Sequence, residues 1–258
     1  MTATLVLAAH GARSEEWESV MGSVAERVRR ARPGRRVEVG FLELSSPALT
    51  DVLAGAPGPV VVVPLLLAGG YHVHIDLPAV VARTRPDARV TGQLGPHPLL
   101  TAVLARRLVS AGLRSCDAVV LGAAGSSDPA ALEDVRAAAR LLSVRLSRPV
   151  TAAFASAGSP SVAQALSRIR SGPAPRVVIA SYLLAPGLFH ERLAASGADM
   201  VSAPIGADDD VAELVWRRFD EAVATGWRTA AAMSPGRPAQ VRSVPSLSLT
   251  AGFPPPAA

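Results

Sequence analysis

The sequence predicts an α/β fold of two similar lobes, each a parallel sheet flanked by helices, arising from an internal duplication. Two observations carry this. Short runs of β-branched and aliphatic residues alternate with stretches of helical period, the pattern of strands buried between two helix layers. The features of the first half then return in the same order in the second, at an offset that stays between 111 and 117 residues.

The strand runs of the first half are "TLVLAAH" from Thr4, "RVEVGFL" from Arg36, "PVVVVPLLL" from Pro59 and "ARVTGQL" from Ala88. Between the first two, Ser14 is a good helix N-cap and Glu15 and Glu16 suit the positive end of the helix dipole. Trp17, Val20, Met21, Val24 and Val28 fall on one face of that helix. Asp76, before Leu77-Pro78, is expected to cap a later helix, because proline fits a first turn and the carboxylate accepts free N–H groups.

In the second half "DAVVLGAAGSSD" from Asp117 parallels "ATLVLAAHGARS" from Ala3, and "AAFASAGSP" from Ala152 parallels "VGFLELSSP" from Val39. "RVVIASYLLAPGLFHERL" from Arg176 then parallels "PVVVVPLLLAGGYHVHIDLP" from Pro59, and "VSAPIGADDDVAELVWRRF" from Val201 parallels "VTGQLGPHPLLTAVLARRL" from Val90. The organisation expected is therefore a first lobe over 1–115, a second over 116–233, and a Pro/Ser-rich tail over 234–258 that is disordered.

With 49% hydrophobic and 18% charged residues the chain is neither fibrous nor disordered as a whole. The apolar run from Pro59 is too short to span a bilayer, and the N-terminus lacks the basic segment of a secretory signal, so a cytoplasmic protein without membrane partners is expected. Cys116, the single cysteine, excludes an internal disulfide and a cysteine-based metal cluster, and its expected place is the core. All 26 basic residues are arginine and the net charge is +5, which favours an anionic partner. Aromatics make up only 4% and do not alternate with basic residues as base-stacking surfaces do. A small polyanion is thus expected, and no nucleic acid.

The two halves differ where chemistry is possible. His10 aligns with Ala124, Glu43 with Ser156 and His72 with Phe189. Each of the first three lies at or just past the C-terminal end of an expected strand, and in a parallel sheet those ends open on one crevice. Two imidazoles and a carboxylate suit a first-row divalent metal. His74 aligns with Glu191 and is expected to be a solvent-facing neighbour or an auxiliary metal or substrate contact. His97, in "LGPHP", is expected to be structural. Gly69 and Gly70 allow positive φ or close approach to a flat ligand, or form a plain turn.

Taken in order, "AAHGAR", "GFLELSSP", "VVVVPLLLAGGYHVHIDLP" and "LGPHPLL" resemble the sirohydrochlorin chelatase family, of the CbiX and SirB type among class II chelatases, over roughly residues 4–225. The resemblance implies a chelatase-like fold and ATP-independent insertion of Co²⁺ or Fe²⁺ into sirohydrochlorin, on the way to sirohaem or cobalamin. It implies His10 and His72 as metal-binding and catalytic residues with Glu43 as a third catalytic residue, and selects His72 over His74. A second half without both histidines resembles the long bacterial form with one active lobe, for which a monomer or weak homo-oligomer is expected. The expected ligands are the polycarboxylate tetrapyrrole and the divalent metal as substrates, with no tightly bound cofactor. Arg13, Arg83 and Arg85 are candidates for the substrate carboxylates, with Gly70 and His74 also candidates for substrate contact. Neutral imidazole is needed for ligation, so activity is expected to fall below about pH 6. The alternatives are a non-catalytic tetrapyrrole or metal binder and a chelatase for another tetrapyrrole; the histidine phosphatase motif is not matched, since Ala9 stands where it requires arginine.

Overall fold

The computed structural model describes residues 3–172 and 176–225, apart from the side chain of His72. The expected tail lies outside the described residues. The first repeat runs β1 (Thr4–Ala9), α1 (Glu15–Ala31), β2 (Val37–Phe41), α2 (Leu49–Gly55), β3 (Val60–Pro64), a π-turn (His72–Asp76) leading into α3 (Leu77–Thr84), β4 (Arg89–Val90) and α4 (Pro98–Ser110). The second runs β5 (Ala118–Ala123), α5 (Pro129–Leu146), β6 (Val150–Phe154), α6 (Val162–Arg170), β7 (Val177–Ser181), α7 (Leu188–Ala194), β8 (Met200–Val201) and α8 (Asp209–Ala224).

Both sheets are parallel, with order β2-β1-β3-β4 and β6-β5-β7-β8. The strands β5 to β8 start 114, 113, 117 and 111 residues after β1 to β4, so the duplication read from the sequence is the duplication of the fold. Every residue of β1 and β3 is buried, as helix layers on both faces require. On one face of the first sheet Val6, Ala8, Val60 and Val62 pack against Leu49 and Leu53 of α2 and Leu77 and Val81 of α3. Ser14 caps α1, its side chain accepting the Trp17 N–H, and Met21, Val24, Ala25 and Val28 form the buried face.

The last helix of each repeat crosses to the other lobe. α4 packs on α5 and β7, while α8 packs on α1 and β3. The exchange is secured by side chains of both polarities. The Trp216 indole, buried in α8, donates to Val28 O at 2.9 Å, satisfying one of the last carbonyls of α1. Arg32 pairs with Asp220 at 2.6 Å and lies over the Trp216 ring, and Arg106 of α4 bridges Asp208 and Asp210 at 2.7 and 2.8 Å. Among the described residues no helix is long and apolar enough to cross a membrane.

Three local expectations are corrected. The run "ARVTGQL" gives only a two-residue strand, because β4 is an edge; beyond it Thr91 and Leu94 bond singly to Val62 O and Leu66 O. Asp76 itself has helical φ and ψ and makes no side-chain cap, because the π-turn already winds the chain from His72. Cys116 is exposed in the turn before β5, and Asp117 takes the buried place there, its Oδ2 accepting the Arg114 N–H at 2.8 Å.

Candidate functional site

In the first sheet the chain leaves β1 and β3, adjacent strands, toward opposite sides, and the crevice at their carboxyl ends is the place where such sheets bind ligands. His10 is the first residue after β1. Glu43 follows β2, and its N–H donates to His10 O at 3.0 Å, which continues the β1–β2 ladder past the strands and brings the two side chains together. Their Nδ1 and Oε1 atoms are 3.3 Å apart, with both side chains about half exposed.

Gly11 makes this approach possible. At φ 101° it turns the chain across the Glu43 carbonyl, into which a Cβ would collide. Glu43 sits on a tight turn of its own: Ser45 N–H returns to Glu43 O at 2.8 Å around Leu44, a non-glycine residue at φ 65°. The Ser45 hydroxyl fastens this turn to the β1 loop, accepting from Ala12 N at 3.1 Å and donating to Ala12 O at 3.0 Å.

His72 opens the π-turn past the carboxyl end of β3, and its side chain lies outside the described residues. Gly70, at φ 130°, begins that turn: its carbonyl accepts the N–H groups of Val73 and His74, each at 3.0 Å. His74 is exposed, with its Nε2 close to Gly69. Among the described residues no group of three or more His, Cys, Asp or Glu side chains forms a metal cluster; His10 and Glu43 approach each other as a pair.

A cavity of about 560 Å³ opens between the lobes past the carboxyl end of β3; His10 and Glu43 are not among its lining residues. Its first-lobe wall is the segment from Leu65 to Tyr71, including Gly70, with Val73 and Trp17. Its second-lobe wall carries Ser126, Ser127 and Ser156. The sequence places Ser156 opposite Glu43 but does not single out Ser126 and Ser127; the signal was available in "AAGSSD", where the repeat keeps the strand and glycine of "AAHGAR" and puts serines at the places of Ala12 and Arg13.

Of the arginine candidates, Arg13 is exposed in the loop after β1, at the crevice end. Arg85 does not reach the site. Its guanidinium bonds Ala56 O at 2.7 Å, Gly58 O at 2.6 Å and Asp87 at 2.9 Å, closing the loop that feeds the amino end of β3. Arg83, in the last turn of α3, lies on that same far side of the sheet. His97 is structural: its Nδ1 accepts the Leu99 N–H at 3.1 Å and caps α4, and burial, helped by Arg218 and Arg217, holds its pKa below the ordinary histidine value. In the second lobe His190 faces the buried Ser181 hydroxyl at 3.0 Å, and burial likewise lowers its pKa, against the carboxylates of Glu16 and Glu191.

Known proteins resemble this chain in sequence and in fold. The family model described as CbiX matches residues 4–111 and again 118–222. The sirohydrochlorin cobaltochelatase of Sulfolobus acidocaldarius is 32% identical over 90 residues, 33% of this chain and 72% of that protein. That of Saccharolobus islandicus strain L.S.2.15 is 38% identical over 81 residues, so that the match spans 30% of this chain and 62% of its relative. Among solved structures, SirB from Bacillus subtilis with Fe³⁺ superposes with a TM-score of 0.75 at 22% identity, over 87% of this chain and 97% of that one. A CbiX structure described as the terminal enzyme for biosynthesis of siroheme in denitrifying bacteria gives 0.65 at 21%, over 85% and 99%. The structural matches establish a shared fold. With a family match that covers both repeats and accounts for most of the sequence, the chain belongs to the CbiX family.

Proposed function

We propose that this protein inserts Co²⁺ or Fe²⁺ into sirohydrochlorin without ATP, in sirohaem or cobalamin biosynthesis. The observation that carries the reading is the His10–Glu43 pair, 3.3 Å apart past the carboxyl ends of β1 and β2 and replaced by Ala124 and Ser156 in the second repeat. The names of its relatives, sirohydrochlorin cobaltochelatases, supply the substrate.

In this reading the lobe over 1–115 holds the metal and that over 116–233 completes the cleft, within a cytoplasmic protein that is a monomer or weak homo-oligomer. A carboxylate beside Nδ1 of His10 favours the tautomer with its proton on that nitrogen, which leaves Nε2 as the donor to the metal substrate. His72 is the second donor. Two pyrrole N–H protons must leave as four ring nitrogens replace the metal's ligands, so net charge is conserved. Glu43, half exposed, accepts these protons and passes them to solvent. Arg13, at the crevice end of β1, pairs with a ring carboxylate at the rim, and Gly70 and His74 line the approach.

The test is the visible absorption of sirohydrochlorin mixed anaerobically with the protein and Co²⁺ or Fe²⁺, for wild type, His10→Ala, His72→Ala and His74→Ala. The expected result is rapid insertion by wild type, loss in the first two variants and retention in the third. No acceleration over the protein-free rate by wild type overturns the reading; tight binding of metal or macrocycle without turnover would identify a carrier instead.

A further inference from the structure

Two side chains of the second lobe reach the loop that leads from β3 to the π-turn. Asp134, on α5, places one carboxylate oxygen 2.8 Å from Gly69 N and 2.9 Å from Nε2 of Gln93, accepting both hydrogen bonds. Tyr182, just past β7 and buried, donates its hydroxyl to Leu67 O at 3.0 Å. The two tethers thus grip both ends of the segment 67–69.

Neither tether has a counterpart across the pseudo-symmetry. At the repeat offsets, Val20 stands for Asp134, Pro186 for Gly69, Pro204 for Gln93 and Leu65 for Tyr182. Valine accepts no hydrogen bond, Pro186 has no N–H to donate, and leucine has no hydroxyl. Bonds that served only to join the lobes could occur in either direction. These run in one direction, to the loop of the repeat that carries the histidines.

The segment they hold is conformationally permissive, with two successive glycines that would otherwise sample a wide range of backbone angles. Gly70 follows the gripped amide directly, and its carbonyl opens the turn whose first residue is His72. The Asp134 carboxylate and the His74 ring both lie against Gly69: a Cβ there would meet His74 Nε2 at 2.8 Å and Asp134 Oδ2 at 3.3 Å.

We propose that Asp134, with Tyr182 as a second tether, is a positioning residue for the metal centre: the lobe without the histidines fixes the Gly69–Gly70 turn and, through it, the backbone of His72. The inference rests on the reading of His72 as a metal donor. A charge-assisted bond to a backbone amide suits this role, since it constrains the turn without contacting the metal.

The test is the Co²⁺ affinity of the full chain, measured by calorimetry without sirohydrochlorin. Asp134→Ala is expected to weaken binding about ten-fold, the usual scale for groups that orient a ligand. Asp134→Asn, whose amide oxygen can accept the same two bonds, is expected to stay within about three-fold of wild type. On a His72→Ala background Asp134→Ala should have no further effect. Tyr182→Phe, which removes only a hydroxyl, should weaken binding in the same His72-dependent way, and it decides the question if Asp134→Ala does not fold. Wild-type affinity in these variants, or an equal loss with and without His72, overturns the positioning role while leaving the metal-donor reading intact. Unchanged Co²⁺ affinity in His72→Ala alone removes that reading, and the inference with it.

Discussion

His10 Nδ1 lies 3.3 Å from Glu43 Oε1, and the backbone bond that sets this distance, Glu43 N to His10 O at 3.0 Å, recurs in the second lobe as Ser156 N to Ala124 O at 2.9 Å. The scaffold is thus present twice and the donor pair once. A backbone that holds Ala124 and Ser156 in one lobe holds the proposed ligand His10 and the proposed base Glu43 in the other, which makes each repeat a control for the other.

If Glu43 takes the pyrrole protons, Glu43→Gln keeps the shape and loses the base. Turnover is expected to fall about 100-fold, the lower range for a general base, while Co²⁺ affinity changes far less. Stopped-flow absorption with calorimetry separates the two; wild-type turnover in this variant excludes Glu43 as the base.

Gly11 and Gly125 share φ near 100°, and a Cβ at either would strike a carbonyl, of Glu43 or Ala157 respectively. Gly11→Ala and Gly125→Ala are therefore expected to lower stability alike, by about 1–3 kcal/mol each. Only Gly11→Ala should abolish insertion at temperatures where both variants remain folded. Melting curves paired with activity check this, and equal loss of activity in both would deny the first lobe its separate role.

The lowered pKa of His97 makes stability depend on pH. Burial and, after it, Arg218 disfavour the proton on its imidazole in the folded protein, and Nδ1 must be unprotonated to cap α4. The unfolded chain binds that proton more readily, so the contribution is complete above about pH 6.5 and is lost as pH falls through the lower folded value. His97→Asn, which caps without titrating, should flatten the pH dependence of the urea midpoint between about pH 5 and 7. An unaltered slope counts against His97 as its source.

Trp216 joins the exchanged helix α8 to α1. Trp216→Phe leaves the Val28 carbonyl without its indole donor and is expected to cost about 1–3 kcal/mol, and Trp216→Ala about 3–5 kcal/mol through the cavity it opens. Denaturant unfolding of both variants measures the difference. A loss below about 1 kcal/mol for Trp216→Ala would mean that the helix exchange contributes little to stability.

What the linear chain determines here is periodic or repeated. Strand positions, the Ser14 cap, the offset of 111 to 117 residues and the replacement of His10, Glu43 and His72 in the second copy are all readable from residues near one another or at a fixed spacing. Tertiary structure alone decided the rest. The exchange of α4 and α8, the grip of Asp134 and Tyr182 on the 67–69 segment and the capture of Arg85 by the Ala56 and Gly58 carbonyls depend on which distant backbone groups come within bonding distance. The π-turn at His72 belongs with them. An aspartate before Leu-Pro reads locally as a cap, and only the turn started from the Gly70 carbonyl makes that cap unnecessary. Local patterns specify which groups need partners; the partners themselves are chosen by how the two lobes close on each other.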